Sequence, residues 1–366
     1  MPHQHQHTLG GATTLRELRP LLYMLGVVIL LLVLTQFFAS GYIQRIVVGL
    51  GISLILVVSL NLSNGLTGIF SLGHVGFMAI GAYTAAILTL PLSQKQVNLP
   101  DLPVWLANTE LSFLPATVIG GLLATIIAFL VGLSLMRLSG SYVSVGTMGF
   151  LVIVQVVLIN WDSLTRGGRT FSGVPPLTNL WWVWGWAFLT IYSVWRIKFS
   201  AFGRRMMAIR DNQIAAQSLG ISVMRSRLLA YCISAFFTAV AGSLWAHFIM
   251  AFSPRSFYFA ETFSVITMLV LGGMGSVSGS IVGAVSITFL SEILRNAERG
   301  MDFGIMRLPP IYGASQIIMA ITFILVIIFY PKGLLGTNEI NLNELGAWLQ
   351  NPRFLGWWNR NKKTTQ

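Results

Sequence analysis

Apolar runs of membrane-crossing length succeed one another along this chain, and that succession constrains the fold more than any single motif. A helix needs about 20 apolar residues to cross the hydrocarbon layer. Runs of that kind fall near 21–38, 46–63, 69–90, 114–136, 142–160, 180–197, 228–250 and 314–331. A longer apolar stretch, 257–294, is interrupted by Leu271-Gly-Gly-Met-Gly-Ser-Val-Ser-Gly-Ser280, and its length suits two short spans, or one span with a re-entrant piece. Only 9% of the residues are charged, against about 25% in a soluble domain. The chain lacks the charge to coat a water-facing surface, so lipid is its solvent. An all-α polytopic membrane protein with broken helices follows, of about ten transmembrane spans and no fewer than about eight.

The formal charge of +12 does not point to nucleic acid, because the cations gather at span ends, where cytoplasmic loops of membrane proteins collect them. Arg16 and Arg19 place the N-terminus inside, with Arg137 and the 196–227 cluster on the same side. The 91–113 loop, with Lys95, Asp101 and Glu110, falls outside, as does 162–176, where Arg166 and Arg169 are a minor violation. Two crossings between 257 and 294 put both termini inside, as Lys332, Arg353, Arg360, Lys362 and Lys363 require. The run that starts at Leu21 lacks a convincing cleavage site and reads as a retained first helix, not a signal peptide. Three divisions result: a cytoplasmic tail over 1–20, one transmembrane domain over 21–336, and a polar tail over 337–366 whose Trp348, Trp357 and Trp358 suit the headgroup level.

Absences narrow the function. All eleven Asp and Glu residues fall in loops, in tails or near span ends, so no mid-span carboxylate is available to carry a proton. There is no Gly-x4-Gly-Lys-Ser/Thr loop to hold ATP phosphates, no His-Glu-x-x-His and no Gly-x-Ser-x-Gly. No catalytic residue and no metal site is assigned; His3-Gln-His-Gln-His7 reads as a polar tail, and the single Cys232 forms no disulfide framework. Anything this protein moves uphill draws energy from another chain.

Between Arg196 and Arg227 lie seven of the 23 Lys+Arg residues and a single acid, Asp211. Gly203 and Gly220 bracket 204–219, and glycine is the expected stop at a helix C-terminus, so the spacing predicts one short helix there. Met207, Ile214 and Ala215 can share one side while Arg205, Asn212 and Gln213 look elsewhere. Ala215-Ala216 lets a partner approach closely, Leu219 is an apolar knob, and arginines, Arg210 among them, edge the segment. Such a helix fits a groove on a neighbouring protein; the competing reading is an anchor on anionic headgroups. A weak internal echo links Gly73-x7-Gly81-Ala82 to Gly275-x7-Gly283-Ala284, each preceded by a run of small residues. Transporters built from repeats place their interrupted helices near the pathway.

These motifs carry a family resemblance. Gln213-Ile-Ala-Ala-x3-Gly220 resembles the coupling loop of bacterial ABC-importer permeases, and Arg210 to Ile221 is similar to the LivM type of branched-chain amino acid permease. Asn64-Gly-Leu-Thr-Gly-Ile-Phe-Ser-Leu-Gly-His74 with Gly81-Ala-Tyr83, Val270 to Ser276 and Tyr330 to Leu335 resemble its other motifs, in family order over roughly 45–336. Gln213 and Gln217 stand where glutamates are expected, which removes a salt bridge but keeps hydrogen bonding; the 91–113 loop and the Trp-rich tail are extras.

The resemblance implies an inner-membrane importer subunit for branched-chain or other neutral amino acids. It would work with a LivH-like second permease subunit, two cytoplasmic ABC ATPases that use the ATP, a periplasmic binding protein and surrounding lipid. No cofactor is expected on this chain. ATPase coupling would fall to the 198–227 loop: Arg205, Arg210, Asp211, Gln213, Ile214, Ala215, Ala216, Leu219 and Gly220. The path or its gate would use Ser71, Gly73, His74, Gly272, Gly273, Gly275 and Ser276, although His74 also reads as a helix-packing histidine. A urea or amide permease, a stand-alone sodium-driven or facilitative carrier, and an intramembrane enzyme or scaffold are the alternatives.

Overall fold

A computed structural model describes residues 15–138, 140–298, 313–329, 333–336 and 339. The histidine-rich start and the Trp-rich tail lie outside these residues, as do Tyr330, Pro331 and Lys332. The chain divides into two units, 1–44 with 340–366, and 45–339. In the first, the Gln44 amide donates to the carbonyls of Gln36 and Ala39 at the end of α1 (Leu15–Phe38), which helical bonding leaves unmet.

In the second unit every element is helical. α2 (Gly41–Thr67) is followed by α3 (His74–Thr89), α4 (Leu92–Asn98), α5 (Val104–Ala107), α6 (Phe113–Leu135), α7 (Tyr142–Asn160) and α8 (Asp162–Thr165). Then come α9 (Leu180–Phe199), α10 (Ala201–Asp211), α11 (Gln213–Ser218), α12 (Val223–Ile249), α13 (Phe259–Gly272), α14 (Val277–Glu298) and α15 (Ala314–Phe329). Among the described residues five helices are long and apolar enough to cross a membrane, or six if α3 and α4, bent by 117°, count as one span. Among the helices outside that count, α13 has 14 residues and α3 and α15 have 16 each, short of the roughly 20 that a crossing takes. The 257–294 stretch is two antiparallel helices, α13 and α14, and not a single one.

Burial separates core helices from perimeter ones. In their most apolar windows α2 and α12 are 72% and 78% buried, whereas α6 and α7 are 28% buried. α12 packs on α3 and α6, with α3 between α6 and α7. Glycine makes the closest crossings possible, since a missing side chain lets backbones touch. A Cβ on Gly81 would run into Ala239 O, and one on Gly242 into Met78 O, so α3 and α12 interlock reciprocally. Gly283 against Met268 O and Gly272 against Gly279 O do the same for α14 and α13. The Gly73/Gly81 and Gly275/Gly283 echo therefore marks two helix pairs that each leave a chain break and cross tightly.

The chain ends of these helices sort into two sets. At one end lie the 68–73 break, Ser144, Lys198, α10, α11 and the 273–276 break. At the other, Leu111 N donates to Leu88 O, Asn98 to Ser172 O, and Phe171 pairs with Phe252 through two backbone bonds of 2.7 and 3.0 Å. There the 91–113 loop is stapled by buried Lys95, whose ammonium donates to Leu106 O at 3.0 Å and to Thr109 O. Arg166, the charge out of place by the loop rule, turns back on its own loop and donates to Thr170 O and Ser172 Oγ.

Candidate functional site

The basic segment is not one helix over 204–219. It is α10 and α11, with a corner at Asn212, whose backbone is extended (φ −154°, ψ 105°) and whose side chain accepts from Ala215 N at 3.0 Å. Asparagine leaves a helix readily because its amide can cap the next one. Gly203 does not precede the helix but lies inside it, pressed on the carbonyls of Ile197 and Lys198, and Ser200 is the N-cap. Gly220 does end the segment: its φ of +77° lets Ile221 N return to Ala216 O, a glycine-type C-terminal closure.

The faces also differ from the sequence reading. Ala216 is only 2% exposed and packs with Ile209 and Val223, so it is part of the protein's own interior. Ile214 and Leu219, at 77% and 79% exposed, are the apolar knobs left free, with Ala215 and Arg205 exposed as well. Gln213 accepts from Arg227 at 3.1 Å. Asp211 is exposed and paired with Arg210 at 3.0 Å.

Arg210 connects this segment to both helix breaks. Its guanidinium donates to Gly65 O at 3.1 Å, its stem lies over Gly68, and its Nη1 would meet any Cβ placed on Gly275. Gly275 has φ +92°, a conformation glycine adopts without strain. Gly65 and Gly275 are themselves in backbone contact.

Two asparagines one helical turn apart on α2 hold the breaks. Asn61 Nδ2 donates to Ser276 O at 2.9 Å and its Oδ1 accepts from Gly275 N at 2.8 Å. Asn64 does the same to one residue of the other break, donating to Ser71 O at 3.1 Å and accepting from Ser71 N at 3.2 Å. Irregular backbone in a buried membrane region needs such partners.

His74, read as a gate or packing residue, is buried among hydroxyls. Its Nε2 lies 2.7 Å from Ser234 Oγ and 3.0 Å from Ser63 Oγ, and its Nδ1 lies 3.1 Å from Ser71 Oγ. Tyr231 and Phe77 meet the ring edge-on at 5.8 and 6.3 Å. It ties α2, α3 and α12 together through serines and not through a backbone carbonyl. Gly73 is pressed against Thr147 O and Phe150 of α7.

The second break has further partners that the sequence did not signal. Leu334 N and Leu335 N donate to Leu271 O and Gly272 O, meeting the last carbonyls of α13, and Gly333 crosses Gly273 closely. Glu339 accepts from Val277 N at 2.8 Å and Ser278 N at 2.9 Å, the first amides of α14, and from the hydroxyls of Ser276 and Ser278. A carboxylate there also complements the helix dipole. Lys198 Nζ bonds Glu339 at 2.5 Å and Gly275 O at 2.6 Å. Burial alone would raise the Glu339 pKa, but the bonds from Lys198, Ser278 and Val277 outweigh it and hold the carboxyl below its usual value of 4.5.

Residues 42–329 match the family described as branched-chain amino acid transport system, permease component. The chain belongs to this family. It is 31% identical over 318 residues to the high-affinity branched-chain amino acid transport system permease protein LivM of Escherichia coli K12, covering 78% of this chain and 68% of that one. It is 25% identical to the LivH permease protein of Salmonella typhimurium, over 75% of this chain and 88% of the relative. To the autoinducer 2 import system permease protein LsrC of Klebsiella pneumoniae it is 31% identical, over 41% and 47%. No solved structure matches. As a family member the chain is a membrane permease subunit of an ABC importer and not an enzyme; ATP is hydrolysed by separate ATPase subunits.

Proposed function

We propose that this chain is one of two permease subunits in an importer of branched-chain or other neutral amino acids, with a LivH-like homologue as the other. The end bearing α10, α11 and both breaks faces the cytoplasm, where one of the transporter's two ATPases docks on the exposed Ile214 and Leu219. A periplasmic binding protein delivers solute to the opposite end. Arg210 carries the reading: one side chain spans from the docking segment to the backbone of both broken helices, so displacement of α10 acts on the two joints together. The path residues are the breaks themselves, Ser71 to His74 and Gly272 to Ser276.

Leu219→Asp tests the docking. Leu219 is exposed, so the variant inserts normally, and a charge on the knob weakens the apolar contact. In vesicles holding the complete transporter, solute-stimulated ATP hydrolysis is expected to fall about tenfold, the equivalent of about 1.4 kcal/mol, together with uptake. Undiminished uptake, or a cysteine at 210 that reacts only from the outer side, overturns the reading. Identifying the amino acid bound by the soluble receptor checks the substrate class.

A further inference from the structure

Beside the docking segment lies a cleft of about 490 Å³. Its walls are 67–70 at the end of α2 and the start of the first break, 140–141, 143–144, 209–213 and Arg227. Arg227 is 8% exposed, and its Nη2 bonds Gln213 Oε1, yet its Nε has no partner among the described residues. A buried guanidinium N–H left open is costly, and a charged acceptor for that guanidinium would offset the cost. Arg210 also lines the cleft, and the one acid there, Asp211, is already engaged by Arg210. The charge balance of the lining is positive.

We infer that the cleft receives an acidic side chain of the ATPase partner, with its carboxylate between Arg227 and Arg210. This rests on the docking reading above and goes further, because it assigns the charges. Gln213 is turned inward, and its Oε1 accepts from Arg227. The cation therefore belongs to the permease and the anion to the ATPase. The exposed Ile214 and Leu219 supply the apolar rim beside this charged centre. Arg227 is held against α11, and Arg210 against both breaks, so a carboxylate bridging the two couples ATPase movement to the joints.

The test uses the full transporter in vesicles. Arg227→Gln removes the charge and is expected to weaken ATPase retention about tenfold and to flatten its loss with rising salt. Arg227→Lys keeps the charge and is expected to restore part of both. In that lysine variant, a carbodiimide should join the introduced amine to an Asp or Glu of the ATPase by an amide bond, with loss of water to the urea by-product, locatable by peptide mass. If Leu219→Cys cross-links to the ATPase but the amine at 227 does not, the carboxylate assignment fails and the docking reading stands. If neither cross-links, both fail. If the Arg227→Gln defect appears only with phosphatidylglycerol in the vesicles, or is mimicked by inorganic phosphate acting on the wild type, the occupant is a phosphate group and the inference is overturned.

Discussion

The two broken joints have one geometry and different attachments. In each, a chain break leads into a helix with glycine at the same spacing, Gly81 or Gly283, and a tight crossing follows. In each, an asparagine of α2 makes paired bonds to the break. Around the first break, however, the partners besides Arg210 are neutral: the hydroxyls of Ser63, Thr147 and Ser234 and the His74 ring. Around the second there are also charged groups from far along the chain, Lys198 and Glu339. Arg210 of α10 reaches both joints; only the second is also tied to Lys198 and to the strap after α15. Only the second can therefore be loosened by a change at Lys198 or Glu339.

The largest effect that probes this contrast is at the crossings. Gly81→Leu and Gly283→Leu each push a side chain into a neighbouring backbone carbonyl, which cannot step aside. Each is expected to cost about 3 kcal/mol or to prevent assembly, read as the thermal midpoint in detergent. Equal losses support the common geometry. Survival of one alone would break it.

Asn61→Leu and Asn64→Leu come next. Each strands a buried N–H and C=O at a cost of about 2–3 kcal/mol together. Stability should drop alike, but coupling should not: the Asn61 variant is expected to hydrolyse ATP without matched uptake, since its break is the one also held by Lys198 and Glu339. Identical ratios of hydrolysis to uptake in the two variants would remove the functional difference between the joints.

Glu339→Gln is the smallest, about 1–2 kcal/mol. Its carboxyl is held below 4.5 in the fold, so its contribution is full above that value and is lost as the pH falls through the lowered value. The wild type should lose midpoint on acidification below about pH 4.5 by this increment, while the glutamine variant lacks that component. Neither change should alter labelling or packing around His74. If the glutamine variant also loosens the first joint, the separation of the two is wrong.

What was legible in the sequence was whatever depends on local pattern. Lipid as solvent, helices as the only element, two glycine-marked breaks and a basic segment between spans follow from hydropathy, residue size and charge placement, all of which act within a few residues. The match of the break spacing was visible too, though not its use at helix crossings. The corner at Asn212 was missed because a helical apolar pattern continues through it, and a single side chain capping α11 overrides that pattern. Ala216 was misread as an outward face for a similar reason: periodicity tells which residues share a face, and only the packing of Val223 and Ile209 tells where that face points. Asn61, Lys198 and Glu339 could not be assigned at all. They meet across as many as 215 and 141 residues of chain, and a buried polar group finds its partner through the fold, not through its neighbours in sequence. Tertiary structure alone decided that one arginine would reach both joints, because that depends on three segments being brought to the same end of the molecule.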